Sequence, residues 1–285
     1  MVNIMAKLID YPCKHNAYSG LPIDKFIEAG LEIPASYGNS DTIVEIARVA
    51  DLHYFPLDPV LEAENMGALI KMDDSPLGPR KADDLITDVT QLADLPELDP
   101  SKGRYAETLK AVCRLNEAGH RAYFELRGSF TVLSGLGDIM TVLMGWRKHP
   151  DVIESFFNSL INGLCNCAAA AAEAGAGIIY YSDGPGSLQV LGPKYTKKVV
   201  EAFTVPFLKE LDRRLDKDIV VHLCPKTSFQ LAGCDAAEWK KLKLDEALPY
   251  DKACEAAKGK VRFIGQRCFK SEDIMVNNIN YLELK

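Results

Sequence analysis

His222 and Cys224 stand two residues apart in Val221-His222-Leu223-Cys224, at the end of an apolar run. Side chains alternate along a strand, so both point to one side if that run is extended. An imidazole and a thiol at this spacing suit Zn²⁺, which takes N and S ligands at about 2.0–2.3 Å. Cys268, in Gln266-Arg267-Cys268, closes the next clear strand-like run, Val261–Gly265. Neighbouring strand ends of an α/β barrel can meet at one ion. Three protein ligands would leave one coordination position open, which marks a catalytic rather than a structural zinc. Two thiolates neutralise the ion and leave a mild Lewis acid, able to hold a substrate thiolate or polarise an ether oxygen. The same residues also read as a core histidine and two buried thiols, and the pattern alone leaves both readings open.

Other side chains fall at the ends of strand-like runs. Asp183 lies in Tyr180-Tyr181-Ser182-Asp183-Gly184, as a substrate or metal-orienting acid or as a turn-capping aspartate. Tyr180 and Tyr181 offer rings for an aromatic substrate, or half-buried strand packing. Glu125 and Arg127 flank Leu126 and point together. They read as an internal ion pair, with Glu125 alternatively a fourth zinc ligand or a proton donor to a leaving phenolate. Arg127 and Asp58 are the further candidates for substrate binding. Cys165 and Cys167 are two apart in a helical stretch and face different ways, so they read as packing. Met66 reads likewise, and the Cys13/His15 pair as incidental, because it precedes any clear strand.

The elements that must position these residues follow from periodicity and punctuation. Helices are expected over 41–50 with Ser40 as N-cap, 59–67, 105–118, 130–145, 150–175 with Pro150 in the first turn, and 195–215. Strands are expected over 52–57, 68–72, 121–126, 177–181, 218–223, 261–265 and 280–284. Residues 1–40 look irregular and 76–100 loop-like. Strands alternating with long helices, several of them short and wholly apolar, mean a parallel sheet covered on both faces. The expectation is one domain over 1–285, a TIM-type (β/α)8 barrel, with a full or a shortened C-terminus. Its chemistry would collect where the strands end.

Composition narrows the function classes. The chain has 285 residues, a net charge of −7 and 47% hydrophobic content. The acidic balance and the lack of a basic tract argue against nucleic acid and anionic membranes as partners. No apolar run reaches the ~20 residues of a membrane span, and the first residues lack a signal-peptide pattern. These features suggest a cytoplasmic protein whose eight cysteines are reduced thiols, and a homo-oligomer is compatible with them.

Five segments, collinear along the chain, resemble the uroporphyrinogen decarboxylase superfamily. Ala50–Ala68 resembles its strand followed by a Glu-Ala-x-x-x-Gly helix. Leu92–Asp99 resembles its linker, and Leu126–Leu133 its Gly-Pro-Phe-Thr segment, with Ser129 in place of Pro. Glu173–Asp183 resembles its Glu-Ala-Gly-Ala-Asp strand, and Val221–Pro225 the strand ending in His-x-Cys-Gly, with Pro225 in place of Gly. The Arg-rich N-terminal signature of the decarboxylase proper is absent: no Arg precedes Arg48. The resemblance therefore implies the zinc branch, methyltransferases that exchange methyl groups with a corrinoid protein. It implies His222, Cys224 and Cys268 as zinc ligands, a small methylated substrate, and a corrinoid (cobalamin-type) cofactor carried by a partner protein. The Pro-Gly-Cys-Gly segment of the coenzyme M enzymes is missing, so the resemblance leans toward an ether donor such as a methoxylated aromatic. A thiol acceptor of the coenzyme M type is the alternative within this class. A cofactor-free decarboxylase and a non-catalytic binding barrel are the alternatives outside it.

Overall fold

The computed structural model describes residues 23–31, 37–56, 58–73, 78–269 and 274–285. Cys13 and His15 lie outside them. The described residues divide into two compact units, one up to residue 176 and one from residue 177 onward.

In the first unit, α1 (Ile23–Glu28) is followed by α2 (Ser40–Ala50). The cap of α2 is Asn39 rather than Ser40: the Asn39 carboxamide oxygen accepts from the Thr42 N–H at 3.1 Å, satisfying one of the donors a helix start leaves open. Ile43, Val44, Ile46 and Ala47 are its buried stripe. Asp51 ends α2 in the left-handed region at φ 53°, a conformation that Asp tolerates better than most residues. β1 (Tyr54–Phe55) pairs in parallel with β4 (Tyr123–Arg127), Tyr54 opposite Tyr123 and Phe55 opposite Phe124. Between them come α3 (Leu61–Asn65), a small antiparallel pair β2 (Ile70–Lys71) and β3 (Arg80–Lys81), and α4 (Gly103–Glu117). The stretch expected to be loop therefore holds β3 and a 3-10 helix over Val89–Asp94, started by a capping box of Asp88 and Gln91. The single helix expected over 130–145 is two, α5 (Ser129–Leu136) and α6 (Ile139–Lys148). Gly137 is extended, and Asp138 accepts from the Thr141 N–H at 3.0 Å, so a new helix starts there. α7 (Pro150–Glu173) begins on its proline as expected, and both Cys165 and Cys167 are buried in it.

In the second unit, β5 (Ile178–Ser182), β6 (Val220–Leu223) and β8 (Phe263–Ile264) lie parallel in that order. α8 (Leu188–Val199) starts before the expected residue 195 and kinks at Gly192, ahead of Pro193. It continues through a π-turn over Val200–Thr204 into α9 (Val205–Arg214). α10 (Pro225–Gly233) follows directly on Cys224. The βα alternation then gives way. β7 (Ala237–Pro249) pairs antiparallel with β9 (Met275–Leu284), which also runs antiparallel to β8, while α11 (Tyr250–Ala256) follows β7. The last strand is thus twice as long as the one expected over 280–284. Alternating exposure and the lysines at 240, 241 and 243 suit β7 to a sheet edge.

Candidate functional site

The His222 cluster belongs entirely to the second unit. Tyr180 on β5 is in register with His222 on β6, so the two side chains leave the sheet on one face. Their rings are 5.3 Å apart, and Phe269 closes on both, 5.9 Å from Tyr180 and 5.0 Å from His222. Tyr181 points the other way and packs on Phe207 of α9 at 5.1 Å. Its ring belongs to the layer between sheet and helix, which corrects the expectation that it meets a substrate alongside Tyr180.

His222 is fully buried, and burial holds its imidazole neutral, with a pKa down at about 3. Its Nε2 lies 3.0 Å from the Tyr250 hydroxyl, which in turn donates to the Arg267 carbonyl at 3.4 Å. Which partner holds the proton of the first bond depends on the imidazole tautomer. Nδ1 is buried and makes no well-formed hydrogen bond, and the backbone groups of His222 and Leu223 act on the ring as well. A buried ring nitrogen of this kind is a candidate ligand atom. Cys224 and Cys268 are each only 8% exposed. A neutral imidazole and two thiols are a donor set whose chemistry fits zinc. His222, Cys224 and Cys268 do not form a group with all ligand atoms within 4.8 Å of one another, so their side chains must move to close on an ion.

Tyr250 and Arg267 also line a cavity of about 310 Å³, together with Gln266, Asn277, Asn278 and Asn280. The cavity therefore reaches within one side chain of His222, and amides and a guanidinium line much of it. Asp183, 6% exposed, follows β5 and accepts from the Gly186 N–H at 3.2 Å. A Cβ at Gly186 would sit 2.5 Å from the carboxylate, so a side chain there would have to push the Asp183 carboxylate aside. The Ser187 hydroxyl in the same loop is buried without a partner.

The candidates of the first unit form a separate charge network at the C-terminal ends of β1 and β4. Arg127 pairs with Glu125 at 2.5 Å and donates to the Asp58 carbonyl at 3.3 Å. The Asp58 carboxylate accepts from the Val60 N–H at 3.1 Å and from Arg104 at 2.9 Å, and Arg104 binds Glu64 as well. The side chains of Asp58, Glu125 and Arg127 are thus engaged with one another's neighbours, the ion-pair reading of the sequence. The proton-donor role expected of Glu125 and the substrate-binding roles expected of Asp58 and Arg127 do not emerge from these contacts. Sequence reasoning missed the acid beside them. Glu62 is fully buried, its Oε1 accepts the Arg127 N–H at 3.1 Å and its Oε2 has no partner. Burial pushes its pKa up to about 7 against the pull of Arg127. The signal was present, since Glu62 is the Glu of the Glu-Ala-x-x-x-Gly segment.

At the other ends of β1 and β4 lies a third cluster. Asp51, His53 and His120 each place one ligand-capable atom within 4.8 Å of the other two.

Strand-end chemistry of this kind, on parallel strands covered by helices, defines the class of α/β barrel proteins. The chain belongs to the uroporphyrinogen decarboxylase (URO-D) family, whose model matches residues 43–267, and its fold class is the TIM-type barrel of that family. Among solved structures, a methyltransferase from Methanosarcina mazei matches with a TM-score of 0.61 at 17% identity, covering 81% of this chain and 71% of its own. That likeness concerns the fold. No significant match is found among curated protein sequences. Among the described residues, no helix is long and apolar enough to cross a membrane.

Proposed function

We propose that the protein is a zinc-dependent methyltransferase that moves a methyl group between a small methylated donor and the cobalt of a corrinoid carried by a partner protein. The observation that carries this reading is the buried, neutral imidazole of His222 at the end of β6, two residues before the buried Cys224, with the buried Cys268 following the neighbouring strand β8. His222, Cys224 and Cys268 would hold the metal. Zinc bound there supplies Lewis acidity toward the heteroatom that gives up or accepts the methyl group. The family membership and the methyltransferase of similar fold support the class.

The chain's own residues supply the rest. Tyr250, 3.0 Å from His222 Nε2, is the residue we assign to orienting the imidazole. Tyr180 and Phe269 make an aromatic wall beside it, suited to the ring of a methoxylated aromatic. Asp183 is the acid we assign to proton delivery onto a leaving oxygen. An ether donor remains the preferred substrate class, with a thiol acceptor as the alternative.

The test is metal analysis joined to a transfer assay. Purified protein should hold zinc that is lost in His222→Ala. With a reduced corrinoid protein and methoxylated aromatics it should change the corrinoid absorbance as the cobalt is methylated. Several corrinoid partners should be tried, because partner specificity can conceal an activity. Methyl loss to a thiol, with no reaction from ethers, would move the assignment to the thiol type. Inactivity in both directions with zinc bound would refute the methyltransferase reading.

A further inference from the structure

We propose that Asp51, His53 and His120 form a second divalent-metal site, selective for zinc or a similar borderline cation. It sits where the chain enters β1 and β4, and it shares no residue with the His222 cluster. Each of the three side chains brings one ligand-capable atom within 4.8 Å of the others. The main chain sets which ring nitrogens are free. His53 Nδ1 lies 2.9 Å from the Arg121 carbonyl, and His120 Nε2 lies 2.7 Å from the Leu52 carbonyl. A carbonyl only accepts, so both of these nitrogens carry protons. The lone pairs are left on His53 Nε2 and His120 Nδ1. Backbone carbonyls that fix imidazole tautomers in this way are the usual outer support of metal-binding histidines.

His53 Nε2 lies 3.7 Å from the Asp51 carboxylate, too far for a direct hydrogen bond. One carboxylate oxygen and one nitrogen of each ring stand close enough together to share one small ion. The carboxylate charge attracts a cation to that point. Ring stacking, with centroids 4.8 Å apart and planes 27° from parallel, accounts for the rings but not for the carboxylate. Asp51 is held in place by its left-handed cap at the end of α2, where the Leu52 N–H bonds the Ala47 carbonyl at 2.9 Å. Its side chain is 85% exposed and that of His53 25%, so an ion enters from solvent and water completes its shell. Two histidines and one carboxylate favour zinc over calcium or magnesium, which prefer oxygen throughout. The ion would tie the end of α2 to the entry of β4.

The experiment is a zinc titration of the chelator-stripped full chain, followed by long-range ¹H–¹⁵N spectra of the histidine rings. Before zinc, His53 should appear as the Nδ1–H tautomer and His120 as the Nε2–H tautomer. Zinc should then shift His53 Nε2 and His120 Nδ1 together. Asp51→Asn tolerates the left-handed backbone and should weaken this binding by at least about tenfold, with the metal-free melting temperature unchanged. Cys224→Ser should retain the His53 and His120 shifts, so this site and the His222 site are read separately. Opposite tautomers, rings that do not respond to millimolar zinc, Asp51→Asn binding as tightly as the wild type, or loss of the shifts in Cys224→Ser would each overturn the proposal.

Discussion

At the scale of single residues, the behaviour of this protein rests on buried groups whose protonation the surroundings dictate. The Tyr250 hydroxyl lies 3.0 Å from His222 Nε2, and we assign it to orienting the ring that we assign to the metal. Tyr250→Phe removes that partner and keeps the ring. It should lower zinc affinity by about 10- to 100-fold, the usual effect of deleting an outer partner of a ligating histidine. Competition against a zinc-binding dye measures it, and unchanged affinity would remove Tyr250 from the site. Glu62 makes the second prediction. Its pKa is raised from 4.5 to about 7 in the folded protein. Below the unfolded value both states carry the proton and its burial costs nothing extra. As pH rises toward 7 the unfolded chain ionises first and stability falls. Above the folded value the loss is complete, at about 3 kcal/mol from this group at ~1.4 kcal/mol per unit. Glu62→Gln mimics the neutral acid and should flatten that part of the pH profile. Urea unfolding at pH 5 and pH 8 checks it, and a difference between the two pH values as large as in the wild type would show that Glu62 is not the titrating group.

At the scale of elements, close approach decides which residues a segment can hold. Gly265 follows β8 at φ 145°, and a Cβ there would lie 2.1 Å from the Leu223 carbonyl oxygen. The Ser228 hydroxyl also donates to the Gly265 carbonyl at 2.6 Å. This turn locks the end of β6 to the end of β8, the two strands that lead to Cys224 and Cys268. Gly265→Ala should destabilise the protein by roughly 3 kcal/mol or more, since both the backbone angle and the space oppose a side chain. A thermal melt within a degree or two of wild type would show that the turn relaxes freely. The 3-10 helix after Asp88 depends on local chemistry instead. Asp88 accepts from the Thr90 N–H at 2.9 Å, and Gln91 takes the Thr87 and Asp88 N–H groups at 2.7 and 2.9 Å. Asp88→Ala should lower stability measurably, because it deletes the cap, as read by a lower urea midpoint.

At the scale of the whole molecule, charge bears on partners. A net charge of −7 gives the chain no general attraction to polyanions. It should pass through a heparin column at low salt, and retention would reveal a basic surface strong enough to override the total. The corrinoid partner we propose must therefore be recognised by shape and local contacts rather than by a basic field.

Much of this was legible along the chain, because short-range rules govern it. The positions of α2, α4, α7, β4, β5 and β6 follow from periodicity, caps and apolar runs, and the collinear family segments carry the fold class. Strand alternation also implied that Glu125 and Arg127 point together, and they pair. What the chain alone left open depends on distance in space. The 13-residue strand β7 gains its partner only from β9, some thirty residues onward, and such pairing leaves no local trace. The break at Gly137-Asp138 needed the capping bond at Asp138 to become visible. Tyr180 and Tyr181 are adjacent in sequence, yet register with β6 sends one toward His222 and the other toward Phe207. His53 and His120 are 67 positions apart, and nothing local links them. Only the parallel pairing of β1 with β4 brings their rings together, because strands that align at one end must also align what precedes them.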